Sequence, residues 1–374
     1  MKLSDFSIRG RQTGLTLIEL MISVVIGLVV VGGMTYLYVG SKGAYRGNES
    51  LARIQEAGRF ALDSITRDIR RAGALGCGSL ASITTNQPVV ASVLVPFTVF
   101  IPPGTGIDPT KLTVDPTGSP IPIVGFAPSQ YSPYPATKPT GWAPPNVGTP
   151  PTPAPAYWGG DILQLQIASG LPARMSAGVD AANAKITIAD NTPNFNKNDY
   201  ALLADCSSAA VFQITNTAGT KPAALTYATS ATTLPPSISV NTFPTVQHFD
   251  QVTYYVGQVP GTNPVRTALY RYSMSSGTVE EVVDNVEDMD VLYGIGANGA
   301  ISGAFQHANT MAAADWTNVI SVRVSLLAVG DQFGAAPAAQ TFALHGTGAL
   351  VTTAPDARLR QVFSASTALR GRLQ

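Results

Sequence analysis

Arg-Gln-Thr-Gly-Leu-Thr-Leu-Ile-Glu-Leu-Met-Ile, Arg11–Ile22, opens an apolar run that carries one acid, Glu19, close to its start. A short polar leader ends at Gly14. An ionised carboxylate in hydrocarbon costs about 2.5–3.5 kcal/mol on insertion scales, so it is rare there and usually functional. From Leu20 to Val39 no residue is charged. At about 1.5 Å per residue that segment makes a helix about 30 Å long, the thickness of a bilayer core. Val24, Val25, Ile26, Leu28, Val29, Val30 and Val31 face all round it, which excludes an amphipathic surface helix. Gly27, Gly32 and Gly33 interrupt the run, either for close helix packing or as a soft stretch able to extend.

The leader sets Lys2, Arg9 and Arg11 against Asp5, a balance that holds it on the cytoplasmic side. A secretory signal places its apolar core before the cleavage point. Here the core follows Gly14, so a cut at Gly14–Leu15 leaves it on the mature chain. The new α-amine at Leu15 then stands one helical turn from Glu19. The same carboxylate could instead meet the amine of an adjacent subunit, and either cation offsets its cost. An uncleaved membrane anchor explains the length and the charge bias but leaves Glu19 without a reason.

Beyond Lys42 the apolar residues become periodic. Leu51, Ile54, Gly58, Leu62, Ile65 and Ile69 mark one helical face. Glu49 and Arg53, and Asp63 and Arg67, stand four apart on the other. Gly73, Gly76 and Gly78 end the pattern, while Gly40, Gly43 and Gly47 offer places for a bend or break. The spacing predicts a helix from Leu15 to about Arg71, roughly 85 Å if straight.

Strand patterns follow: Asp161–Ile167, Lys185–Ala189, a hairpin of Tyr200–Ala204 and Ala210–Thr215, Val252–Val256, Ala268–Tyr272, Val279–Val283, Asp288–Tyr293, Val319–Leu327, Gln340–Leu344 and Leu359–Ser364. Pro260-Gly261, Ser276-Gly277 and Asn298-Gly299 are turn signals between them. One long helix followed by strands predicts an α+β fold, the antiparallel β-rich head laid against the amphipathic half of the helix. Domain limits follow: a leader at 1–14, the helix at 15–72 with 15–40 in the membrane, and a head at 73–374.

Composition narrows the function. The 374 residues carry no net charge and only 12% charged side chains, which excludes a broad basic face for nucleic acid. With 35 Gly and 28 Pro, the chain reads as an exported β-rich protein. Cys77 and Cys206 pair if the head is periplasmic; the alternative is two separate buried thiols. Prolines crowd from Pro96 to Pro155, within an insert at about 88–160. Proline removes ladder donors, so this stretch reads as an irregular loop or polyproline segment, or else a partner-binding surface, rather than a central sheet.

No catalytic constellation emerges. His248, His307 and His345 lack metal-ligand spacing, and neither a nucleophile elbow nor a phosphate loop is present. Glu280, Glu281, Asp284, Glu287, Asp288 and Asp290 read as a solvated edge. The alternative, a divalent-ion site using the 294–303 loop, lacks acids in that loop. The expectation is therefore a non-enzyme without cofactor or metal.

The segment Gly14-Leu15-Thr16-Leu17-Ile18-Glu19 resembles the class III signal of type IV pilins and type II secretion pseudopilins. That resemblance implies cleavage after Gly14 by prepilin peptidase, N-methylation of Leu15, and subunit docking guided by Glu19 at the fifth mature position. Leu15 stands where the family usually has Phe. Arg70-Arg71-Ala72-Gly73, Gly76-Cys77, Val286–Gly294, Arg358–Phe363 and Ala368-Leu369-Arg370 resemble the PilW-type minor pilins. Some of these carry an Asp-rich loop after a Tyr-Gly pair; Ile295–Ala300 here has no acid.

What this implies is a minor pilin that initiates assembly or sits at the pilus tip, held in the inner membrane with its head in the periplasm beforehand. Its partners would be other minor pilins, the major pilin, a tip adhesin, prepilin peptidase and the inner-membrane assembly platform. Adhesion, twitching motility or DNA uptake would be properties of the filament. The competing readings are a minor pseudopilin of type II secretion and a membrane-anchored periplasmic binding protein or enzyme.

Overall fold

The computed structural model describes residues 14, 16–75, 78–79, 92–93, 123–126, 155, 157–205, 209–217, 219, 222–227, 243–262, 265–297, 300–344 and 351–369. One helix, Leu17–Arg71, runs for 55 residues without a break through Gly40, Gly43 and Gly47. It is about 82 Å long at the usual rise. Leu17–Val39 is exposed throughout, a stretch long and apolar enough to cross a membrane with none of it buried against the rest of the chain.

Among the described residues the buried positions of the helix begin at Ser50. Its buried residues are Ser50, Ile54, Gly58, Ala61, Ile65, Thr66, Asp68 and Ile69. That corrects the expected stripe: Leu51 is exposed and Leu62 half-buried, while Ser50 and Ala61 face inward. Small residues win these positions because the helix comes close to the sheet. A Cβ on Gly58 would collide with the Phe363 ring, and one on Gly330 with the Ser50 hydroxyl.

We therefore expect Gly58→Leu to lower stability by about 1–3 kcal/mol, since overpacking forces Phe363 or the helix to move. Gly47→Ala, with open space around it, should be neutral or raise stability by up to about 1 kcal/mol. Thermal unfolding in detergent reads both. Equal effects at the two sites would contradict the close approach.

Two antiparallel sheets cover the helix. The first contains β1 (Ile123–Phe126), β2 (Tyr157–Arg174), β4 (Tyr200–Ala204), β5 (Ala209–Gln213), β7 (Thr245–Gln258), β8 (Thr267–Ser273) and β9 (Thr278–Asp284). Its axis is β7, which pairs with β2 along one edge and with β4 and then β8 along the other. Ser92–Val93 adds a parallel pair to β5. The second sheet is built on β10 (Val286–Ala297), β12 (Val319–Val329) and β13 (Arg360–Ala368), with β11 (Gln306–His307) on the outer edge of β10. Beside them, β3 (Lys185–Ile188) and β6 (Ala223–Thr226) form a small ribbon.

The expected hairpin β4–β5 is present with Ala201 opposite Phe212. The proline-rich stretch departs from expectation. Ile123–Phe126, between Pro122 and Pro128, adds to β2, and Ile123 and Val124 are buried. This is compatible with proline chemistry, because among the described strands β1 pairs with β2 alone and its four residues contain no proline.

The core is shared by all three layers. Ala61, Ile65 and Ile69 from the helix meet Leu165 and Val252 from the first sheet and Val324 from the second. Helix and head therefore bury the same apolar surface and stand as one body.

Candidate assembly site

The site begins at the free end of the helix. Gly14 is exposed; Leu15 lies outside the described residues. Thr16 is the N-cap: its Oγ1 accepts the Glu19 backbone N–H at 3.3 Å, and its carbonyl accepts those of Glu19 and Leu20. Thr-x-x-Glu is the spacing of a capping box, a signal that Thr16 and Glu19 carry in the sequence itself. Glu19 is thereby set in the first turn, where the helix dipole favours an anion. Its side chain is exposed and, among the described residues, no cation pairs with it.

At its other end the helix is tied to the head by charge as well as by packing. Tyr254 on β7 donates its hydroxyl to Asp68 Oδ2 at 2.8 Å, and Arg271 Nε on β8 donates to the same oxygen at 3.1 Å. Burial, and then the Asp68 carboxylate, push the Tyr254 phenol well above its ordinary range. Arg70 Nε reaches Thr367 on β13 at 3.2 Å, and Arg53 bridges Glu49 and Asp331. These contacts hold the Ser50–Arg71 half of the helix on the head, and the exposed apolar shaft is the continuation of that same unbroken helix.

The two head segments singled out in the sequence meet in space. Glu287 on β10 accepts from Arg358 Nη2 at 2.8 Å and from Arg360 at 2.7 and 3.0 Å. Asp356 takes Arg358 Nε at 2.9 Å and Arg360 Nη1 at 2.7 Å. Burial alone would raise the Asp356 carboxyl, but the hydrogen bonds from Arg360 and Arg358 outweigh it and hold its pKa at about 2. The Arg360 side chain is fully buried. This clamp ties the start of β13 to β10 across β12.

The acid cluster is not one solvated edge. Glu280 and Glu281 are exposed, but Glu287, Asp288 and Asp290 are buried, because β10 is covered on both faces. His307, alone in sequence, pairs with Asp290. Tyr293 is fully buried edge-on to Trp316; burial first, then Asp161 and Asp290, raise its phenol well above the ordinary value. Cys77 and Cys206, and the pairing expected of them, lie outside the described residues.

Comparison with known proteins adds two matches. Residues 253–371 match the family model of type IV pilus-assembly protein W. Residues 9–35 match the prokaryotic N-terminal methylation motif. No curated protein and no solved structure matches the chain. The resemblance read from Gly14–Glu19, Val286–Gly294 and Arg358–Phe363 is borne out, since each stretch falls inside a match. The chain carries the signatures of a type IV pilus-related pilin, a family of structural pilus components.

Proposed function

We propose that this pilin-type chain is a minor subunit of a type IV pilus that initiates assembly or occupies the tip. The observation that supports this best is the capped, wholly exposed apolar shaft with Glu19 in its first turn, continuous with the helix half that packs on a large head. The shaft cannot face water: apolar area costs about 25 cal/mol per Å². It must pass from lipid directly into contact with other helices. Glu19 gives that transfer a register, because only one axial offset brings its charge to an amine. A head larger than a usual major pilin's suits an end position better than repetition along a shaft.

In this reading prepilin peptidase cuts between Gly14 and Leu15 and Leu15 is N-methylated. The chain waits in the inner membrane with its head in the periplasm, and the assembly platform passes it to other minor pilins, the major pilin and a tip adhesin. The leader and the helix suit a type II secretion pseudopilin equally; the match across 253–371 favours the pilus.

N-terminal mass analysis tests the premise. The mature chain should begin with methylated Leu15, and Gly14→Leu should leave a longer, inactive precursor. Working filaments built from a chain that keeps residues 1–14 would refute it.

A further inference from the structure

Where the two sheets meet, two buried carboxylates and an imidazole converge. Asp161, on β2 directly after Gly160, is 1% exposed, and Asp290 on β10 is 0% exposed. Gly160 has φ +81, and a Cβ there would press on Asp288 and the Met289 backbone, so β2 runs hard against the edge of β10. Asp161 Oδ2 accepts the Val291 N–H at 2.8 Å, which fixes its carboxylate on that edge. The register of β11 sets His307 opposite Leu292, diagonal to Asp290 on the same face.

His307 Nδ1 stands 3.5 Å from Asp290 Oδ1, and one ligand atom from each of the three residues lies within 4.8 Å of the others. Like charges held this close in a buried site repel, and sharing one cation removes that repulsion. A second observation comes from the same junction. The Tyr293 hydroxyl is fully buried within reach of the charges of Asp161 and Asp290 and has no hydrogen-bond partner among the described residues. A neutral oxygen buried without a partner is costly unless something else engages it.

We propose that Asp161, Asp290 and His307 bind one divalent transition-metal ion of the zinc type, which staples the first sheet to the second. Two carboxylate oxygens and one imidazole nitrogen match zinc, with the remaining position open to water. Calcium wants six or more oxygens, which this set does not supply. Ligands on one tetrahedral zinc stand about 3.3 Å apart, so the Asp290–His307 pair is already set and the others need an inward swing of at most about 1.5 Å. His307 is 36% exposed, which gives the ion a way in from solvent. Because β11 leads into the turn that carries Trp316 against Tyr293, the ion would also hold that segment down.

The test uses the full chain in detergent, stripped with chelator and dialysed against Zn²⁺. Elemental analysis should return one zinc per chain, and zinc should raise the unfolding temperature. His307→Ala, at a part-exposed position, should fold normally yet bind zinc at least about a hundredfold more weakly and lose the temperature shift. Asp290→Asn should lose the shift as well. His248→Ala should change nothing. The proposal fails if the chain binds no stoichiometric zinc, if His307→Ala binds like the wild type, if His248→Ala removes the ion, or if Ca²⁺ reproduces the zinc shift.

Discussion

Glu19→Ala should leave the chain membrane-inserted at the wild-type level while surface pili fall at least about tenfold. The helix itself does not need this carboxylate. Its N-terminus is capped by the Thr16 hydroxyl, and the apolar run that follows is untouched. What the substitution removes is an exposed anion with no cation in its own described chain. Desolvated between helices, a close charge pair is worth about 1.5–7 kcal/mol, and each 1.4 kcal/mol is about tenfold in occupancy. Glu19→Gln should fail likewise, because it keeps the shape and loses the charge. Sheared-pilus immunoblots normalised to the membrane fraction make the measurement. Wild-type piliation by the alanine variant would remove the docking role, whatever the state of the leader.

The second large effect concerns the head. Glu287→Gln should destabilise it by about 3–5 kcal/mol, because it strips one buried anion from two guanidinium groups. Arg358 and Arg360 would keep Asp356 between them, and the Arg360 side chain has no exposure to water. For a chain of this size the unfolding midpoint should drop by roughly 4–6 °C. The exposed pair Arg67–Asp63 on the helix is the control. Removing it should cost less than about 1 kcal/mol, since solvent and salt screen it. A Glu287→Gln loss no larger than that control would mean the clamp adds nothing to stability. Replacing Glu287 and Arg360 together with apolar residues should cost less than the single change, because no charge is then left stranded.

Several features were legible residue by residue. Hydropathy over Leu20–Val39 announces a membrane-capable helix, and the i, i+3, i+4 rhythm past Lys42 carries it to Arg71. Alternation and turn dipeptides placed Tyr200–Ala204, Ala268–Tyr272 and Val319–Leu327 within a residue or two of their ends. The signal around Gly14 and Glu19 and the segments at Val286–Gly294 and Arg358–Phe363 pointed to the pilin family before any fold was known. Hydrophobicity alone points to Leu51 on the helix face, whereas closeness to the sheet puts Ser50 there instead. Where Phe363 and Gly330 press on the helix, a small residue outcompetes a large apolar one. Ile123–Phe126 was lost among prolines, since an edge strand of four residues leaves no periodic trace.

Periodicity and hydropathy are local quantities. They determined by themselves that this chain has a long apolar helix, that its second half carries a buried stripe, and that strands follow. Which carboxylates become buried is not local. Asp288 and Asp290 look like surface acids until β10 is covered on both faces, and Asp161, Asp290 and His307 come from separate strands. Only the packing of two sheets and a helix decided that Glu287 meets two arginines and that an isolated histidine faces two aspartates. The energy of a buried charge depends on neighbours that folding brings in from elsewhere in the chain.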